Sequence, residues 1–133
     1  MQILVVDAQG GGIGKQLVSM LKQRVEGAVV TAVGTNSLAT SAMLRAGADS
    51  AATGENAVIV CARKADVIVG PVGIVIADAL LGEITPAMAA AIGQSRAKRV
   101  LIPINHCDNL IAGVPDLSVS HLIQSAIDLI RAM

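Results

Sequence analysis

Phenylalanine, tyrosine and tryptophan are absent from this chain of 133 residues. The hydrophobic core must therefore be aliphatic, and short runs of Val, Ile and Leu are typical of strands that are buried on both faces. Without aromatic side chains the protein lacks the usual stacking platform for single-stranded nucleic acid. Ten basic residues balance ten acidic ones, so no net positive charge attracts DNA or RNA either. We therefore expect no nucleic-acid partner.

Cysteine, histidine and long hydrophobic runs are also scarce. Cys61 and Cys107 lie far apart, and with only two histidines the sequence shows no ligand spacing for a metal, so we predict no metal site. The most apolar run, 67–77, contains two glycines and a proline and is shorter than the roughly 20 residues of a membrane span. Met1 leads straight into the first strand with no leader pattern. These features predict a cytoplasmic protein with reduced thiols and no membrane association.

Strand and helix patterns alternate along the chain, which predicts a single α/β domain over residues 1–133. Right-handed crossovers favour a doubly wound, Rossmann-like, mostly parallel sheet of five to six strands, in the order 3-2-1-4-5 with a short edge strand. Thr53, Thr85 and Ser118 are expected helix N-caps. The predicted strands cover about 2–7, 28–33, 50–52, 66–70 and 99–104, with a short antiparallel one over 110–113; the predicted helices cover about 13–25, 38–46, 54–64, 73–81, 86–93 and 118 onward.

A glycine-rich turn joins the first strand to the first helix: Gly10-Gly11-Gly12-Ile13-Gly14-Lys15. Exposed backbone N–H groups at a helix N-terminus bind anions, so this turn predicts a phosphate site. It departs from both nucleotide-binding templates. Lys15 falls where the dinucleotide fingerprint needs its third glycine, and Gln9 and Gln16 replace the first glycine and the hydroxyl residue of a P-loop. The loss of that Mg²⁺-binding hydroxyl makes a P-loop hydrolase the least favoured of three hypotheses.

The end of the second predicted strand bears on the choice of nucleotide. NAD-binding proteins place a carboxylate there, on the ribose, whereas this chain has Thr35, Asn36 and Ser37. Hydroxyl and amide groups permit a 2′-phosphate, so NADP or another nucleotide is favoured over NAD, although Asn36 or Ser37 is equally expected as a plain helix cap. Gly70, Pro71 and Gly73, which follow the fourth strand, are expected to complete the cleft.

Few ionisable groups accompany the predicted cleft. Asp7 ends the first strand and is expected either to contact a ribose or an ion or to cap the turn. His106 and Cys107 follow the fifth strand and are weak candidates for chemistry, since neighbours in sequence do not form a catalytic dyad. No catalytic constellation emerges, so the sequence assigns no reaction. The apolar segments 72–81 and 84–92, interpreted as helices that are apolar all round, predict a homodimer interface.

Several blocks of the sequence are specific when taken together: 7–15, 34–37, 47–49 with 53–56, 70–73 and 82–86. They resemble a small bacterial family of unknown function found mainly in anaerobic Firmicutes. The resemblance covers nearly the whole chain and implies a compact Rossmann-like domain, but no assigned activity. The leading hypothesis is a nucleotide- or dinucleotide-binding protein. The alternative is a non-catalytic oligomeric or regulatory module that senses a small anion or binds no nucleotide.

Overall fold

The computed structural model describes residues 1–104, 109–115 and 117–133. Strands and helices alternate along the chain as the sequence predicts. The strands are β1 (Gln2–Asp7), β2 (Val29–Gly34), β3 (Ser50–Thr53), β4 (Val67–Pro71) and β5 (Lys98–Ile102); the helices are α1 (Gly12–Arg24), α2 (Ser37–Arg45), α3 (Glu55–Lys64), α4 (Pro86–Gln94) and α5 (Val119–Arg131), with a 3₁₀ turn at Val72–Val75.

The five strands form one parallel sheet in the order β3-β2-β1-β4-β5. The predicted α/β class and strand order are therefore confirmed, and they are consistent with a Rossmann-like or flavodoxin-like fold. In this topology, β1 lies between the two halves of the sheet, which the chain builds in opposite directions. Ligands of doubly wound proteins bind outside the carboxyl ends of the strands at such a switch point. The turn after β1 is therefore at the expected position for a ligand.

Helices cover both faces of the sheet, and alternate residues of each strand face opposite layers. Ile3 and Val5 pack with α1, α2 and α5 through residues such as Leu17, Met43 and Ile127. The intervening residues of β1, Leu4 and Val6, pack on the other face, with α3, the 3₁₀ turn and α4. Burial on both faces explains why the strands are apolar runs instead of alternating patterns.

Three local predictions are wrong. The predicted helix over 73–81 is only the 3₁₀ turn at Val72–Val75 followed by turns, in which Asp78, Leu80 and Leu81 have positive φ angles of 64°, 57° and 59°. Two of its large apolar side chains, Ile74 and Leu80, are buried in the core of the domain itself, and Val75 packs against that core. Leu81, in contrast, is 95% exposed. The homodimer through 72–81 and 84–92 stays a prediction.

The other two errors concern a strand and a cap. The segment 110–113 forms no strand: Gly113 lies in a turn with φ 77°, and Leu110 is 93% exposed. Thr53 does not cap α3, which begins after Gly54, because the Thr53 hydroxyl lies 2.7 Å from that of Thr40. Thr85 and Ser118 do cap α4 and α5, since their hydroxyl oxygens accept from the amides of Met88 and His121.

Candidate functional site

A cleft of about 330 Å³ lies at the turn between β1 and α1. It is walled by the glycine-rich turn on one side and by residues of the 70–80 segment and the start of α5 on the other. Gly10, Gly11, Gly12, Ile13 and Pro71 of the predicted site line it, together with Asp7, Ala8, Gln9, Gln16, Leu80 and Val119. The carboxyl end of the sheet thus carries a pocket at the place that the sequence predicts for the phosphate.

Two glycines of the turn are required by the fold. Gly11 has a φ of 73°, and its amide donates to the Ala8 carbonyl oxygen at 3.0 Å to close the turn. A Cβ on Gly11 would lie 2.9 Å from the Cα of Ala39, and one on Gly14 would lie 2.9 Å from the Cβ of Asp7 as well as 2.5 Å from the Sδ of Met43. These positions must be glycine for α1 to approach α2 closely, whether or not a ligand binds.

The other two glycines of the turn are not required by the fold. A Cβ on Gly10 or Gly12 would have no atom within 4 Å, and neither residue has the left-handed backbone that favours glycine. Both line the cleft, and neither amide donates to a protein acceptor among the described residues. The turn therefore presents two backbone donors beside space that no side chain fills, at the positive end of the α1 dipole.

The buried carboxylate of Asp7 caps backbone amides of the turn. Asp7 is only 4% exposed, and its two oxygens accept from the amides of Ala8, at 2.8 Å, and Gly14, at 2.7 Å. Burial raises the pKa of Asp7 above its ordinary value, against the opposing effect of these backbone hydrogen bonds. Of the two roles that the sequence suggested for Asp7, the structure shows the cap.

A second carboxylate, that of Glu83, joins the two loops predicted to hold the nucleotide. One oxygen, Oε1, accepts from the Gln9 amide at 3.0 Å, the Thr35 hydroxyl at 2.6 Å and the Asn36 side-chain amide at 2.8 Å. Partial burial opposes ionisation, but these hydrogen bonds, that of Thr35 foremost, hold the pKa of Glu83 below its ordinary value. Two of the predicted ligand-binding side chains are therefore engaged within the protein, and the carboxylate that the end of β2 lacks comes from a distant loop.

Lys15 and Gln16 do not take the positions that a P-loop would give them. Lys15 lines a separate groove between α1 and α2, and the side-chain amide of Gln16 donates to the Gly12 carbonyl oxygen at 3.3 Å. A P-loop lysine reaches the β- and γ-phosphates held by its own loop. The geometry therefore gives the divergent P-loop hydrolase no support.

The remaining predicted residues support the cleft or fall outside the described residues. Asn36 caps α2 by accepting from the Ala39 amide at 2.9 Å, and Ser37 is the first residue of that helix. A Cβ on Gly70 would overlap the Val6 carbonyl oxygen, so this glycine permits the close approach of β4 to β1. Gly73 is buried under Leu80. His106 and Cys107 lie outside the described residues.

An apolar groove of about 480 Å³ adjoins the cleft on the β5 side. The two share Ile13 and Val119. Among the residues that the structure describes, those that the groove adds are aliphatic or proline: Pro103, Ile104, Leu110, Ile111, Val114, Pro115, Leu117 and Leu122. A ligand with a phosphate at the glycine turn thus has an apolar surface next to it, in the pattern of one polar anchor and an apolar wall that cofactor sites show.

Metal-ligating side chains do not cluster in the part of the chain that the structure describes. Within residues 1–104, 109–115 and 117–133, no three of the His, Cys, Asp and Glu side chains lie close enough to hold a metal ion. Among the helices of those same residues, none has the length and hydrophobicity needed to cross a membrane.

The comparisons with known proteins agree with this picture of the fold. Residues 2–133 match the family described as "Domain of unknown function (DUF3842)". The chain belongs to this family. No curated protein matches it. Among solved structures, it is similar to a dodecameric FMN-dependent Ubix-like decarboxylase from Escherichia coli O157:H7, with a TM-score of 0.50 and 14% identity over 98% of this chain and 94% of the other. At that identity the similarity supports the fold and not the activity.

Sequence reasoning noted Glu83 as a polar group near a glycine-containing turn but assigned no partner to it, although this residue organises the polar side of this edge. Glu83 lies 74 positions from Gln9 and 48 from Thr35. Its immediate neighbours carry no motif that signals these contacts, because they depend on how loops from distant parts of the chain meet at the sheet edge. Leu80 and Val119 in the cleft wall were missed for the same reason.

Proposed function

We propose that this DUF3842 protein binds a phosphorylated nucleotide cofactor, with the phosphate on the amides of Gly10 and Gly12. The observation that carries the proposal is the contrast between the two pairs of glycines. Gly11 and Gly14 are explained by close packing, whereas Gly10 and Gly12 face open space in the cleft. A backbone without side chains beside free N–H groups is the arrangement that lets a phosphate approach.

A flavin mononucleotide is the first candidate for that cofactor. It has a single phosphate, which matches a single pair of free amides, and an apolar ring system, which matches the aliphatic groove adjoining the cleft. The volumes of the cleft and the groove fall in the range of roughly 300–1,000 Å³ typical of small-molecule sites. The FMN-dependent decarboxylase of similar fold is consistent with this choice. The chain has no Phe, Tyr or Trp to stack on the ring, and the described residues of the groove would contact it through aliphatic and proline side chains.

NADP, which the sequence favours, receives less support from the side chains predicted to hold its 2′-phosphate. The hydroxyl of Thr35 and the side-chain amide of Asn36 both donate to Glu83. A 2′-phosphate would have to displace that carboxylate or lie next to its charge. A nicotinamide dinucleotide is therefore the second candidate of the same class.

Fluorescence anisotropy of FMN titrated with the protein tests the proposal. Riboflavin, which lacks the phosphate, is the matched ligand, and Gly12→Val is the matched variant. We expect saturable binding of FMN, at least tenfold weaker binding of riboflavin, and loss of FMN binding in Gly12→Val without loss of fold. Equal affinity for FMN and riboflavin would show that the glycine turn does not hold the phosphate. NADH and NADPH are titrated in parallel by their own fluorescence.

The non-catalytic module is the second candidate function, and one observation favours it. The protein's own carboxylates already accept from three amides of the turn, those of Ala8, Gln9 and Gly14. On this hypothesis, the turn is a self-satisfied structural element and the open space at Gly10 and Gly12 is incidental. Absence of binding for FMN, NADH, NADPH, ATP and inorganic phosphate by calorimetry would favour the module.

A further inference from the structure

We propose that the groove between α1 and α2 is a second anion site, which binds a diphosphate or a phosphate-bearing group of a larger ligand. The groove has a volume of about 650 Å³ and is separate from the cleft at the glycine turn, although the two meet at Gly10 and Gln16. The proposal does not rest on the cofactor assignment, since the groove has its own walls and its own charges.

The lining of the groove has one sign of charge. Lys15 and Arg45 contribute two cations and Ser19 contributes a hydroxyl, and none of the described residues that line the groove carries a carboxylate. The apolar part of the lining comes from Leu38, Ala42 and Ala46. Leu38 is 65% exposed, at the first turn of α2, although an aliphatic side chain gains from burial. A lining that combines two cations with apolar side chains suits a ligand that carries both phosphate and an apolar part.

Lys15 lies where a cation is unfavourable without a ligand. It is in the first turn of α1, where the helix dipole favours negative charge, and that turn has no acidic residue. Within residues 1–104, 109–115 and 117–133 the structure records one ion pair, between Lys22 and Asp49, so neither Lys15 nor Arg45 has a carboxylate partner there. A bound phosphate would reverse the unfavourable interaction of Lys15 with the dipole and give both cations a counter-charge.

Two kinds of ligand share this chemistry. A single dinucleotide could extend from the glycine turn across Gly10, so that a second phosphate such as the 2′-phosphate of NADP meets Lys15 and Arg45. Alternatively, a separate diphosphate compound could occupy the groove beside the cofactor. In both cases Arg45 is a better residue to substitute than Lys15, because its fork of donors suits phosphate. It also lies two turns of helix away from the capped start of α2, so its replacement should not disturb that cap.

Calorimetric titration with inorganic pyrophosphate tests the site in the full chain. Arg45→Gln removes one cation, and Arg63→Gln is the matched control, because both arginines are exposed and lie in the last turn of a helix. We expect saturable binding that Arg45→Gln weakens roughly tenfold, whereas Arg63→Gln leaves it unchanged; Gly12→Val removes only the pyrophosphate that is held at the glycine turn. No binding to the wild-type protein, or binding lost in Gly12→Val but unchanged in Arg45→Gln, would overturn the proposal.

A second titration separates the two sources of phosphate. If one ligand spans both sites, Arg45→Gln should weaken NADPH binding and leave NADH binding unchanged, and saturating NADPH should block pyrophosphate. If the groove holds a separate compound, pyrophosphate should bind equally well in the presence of NADPH or FMN. Because pyrophosphate is tested alone first, failure of FMN, NADH and NADPH to bind would refute the cofactor proposal, whereas saturable, Arg45-dependent pyrophosphate binding would still support this one.

Discussion

Replacing Gly12 by alanine should stabilise the protein while weakening its cofactor binding. Gly12 is the first residue of α1, and an added Cβ would meet no atom within 4 Å. Alanine restricts the unfolded chain more than glycine does, which stabilises a compatible site by about 0.4–1 kcal/mol. At a helix end we expect about 0.5 kcal/mol, or a rise in melting temperature of roughly 1–3 °C for a domain of this size.

The same methyl group should interfere with the phosphate. It would fill space beside the free Gly12 amide, and a hydrogen bond to a charged group contributes about 1.5–3 kcal/mol. Loss of that bond corresponds to a roughly 10- to 100-fold higher Kd for FMN. Gly93→Ala is the matched control: Gly93 lies exposed in α4, also with no atom within 4 Å of an added Cβ, so it should stabilise α4 without changing FMN affinity.

Thermal unfolding and FMN anisotropy on the three proteins are the assays. A Gly12→Ala variant that is more stable and binds FMN as the wild type does would refute the assignment of the open space to a phosphate. A variant that is less stable would show that Gly12 has a structural role that the packing does not reveal.

The remaining predictions concern the packed glycines and the two carboxylates. Gly11→Ala should lower the free energy of unfolding by about 2 kcal/mol or more, because position 11 combines left-handed backbone with contact against the Ala39 backbone. Gly14→Ala should lower it by about 1–3 kcal/mol through overpacking. Denaturant titration measures both, and unchanged midpoints would contradict the packing argument. Asp7 has a pKa raised above 3.8 by burial, so its contribution to stability should decline as pH rises from 3.8 through the folded pKa. The difference in the free energy of unfolding between wild type and Asp7→Asn, measured against pH, should show this decline, and a difference that does not change with pH would contradict it. Glu83 has a pKa lowered below 4.5, so its contribution should be complete above pH 4.5 and decline as pH falls through the folded pKa. Glu83→Ala should lower the free energy of unfolding, measured by chemical denaturation, by about 1 kcal/mol; the loss is small because the partners of Glu83 regain hydrogen bonds to water. No measurable loss would show that the contacts to Gln9, Thr35 and Asn36 are not stabilising.

The sequence was sufficient for the sheet because the strands carry their own signal. β1, β2 and β4 are aliphatic runs separated by helix-length segments, and right-handed crossovers then leave few strand orders. The N-cap of α4 was also predictable from the sequence, since Thr85 precedes a proline at the first helical position.

The helix over 73–81 was wrongly predicted because a run of apolar residues does not by itself indicate a helix. Ile74, Leu80 and Ile84 are apolar because they fill the core against α4, and the chain reaches that core through turns instead of a helix. A composition-based interpretation cannot separate these two explanations, since both give the same run of residues.

The candidate site was only partly predictable, because two of its features depend on contacts between distant segments. The sequence located the glycine turn, but only the packing against Ala39 and Met43 shows which glycines are structural. The absence of a carboxylate at the end of β2 suggested NADP, yet Glu83 brings one there from the loop before α4. An argument from one strand end therefore omitted the charge that matters most for the choice of nucleotide.

The most direct test of the phosphate cradle is an amide NMR titration of the ¹⁵N-labelled protein with FMN, which its mass of 13.4 kDa allows. The account predicts that the amide resonances of Gly10 and Gly12 shift most, that those of Gly11 and Gly14 shift less, and that riboflavin leaves all four nearly unchanged. If FMN binds and the largest shifts lie outside the turn between β1 and α1, or if the resonances of Gly10 and Gly12 do not respond, the cradle is not where the phosphate binds.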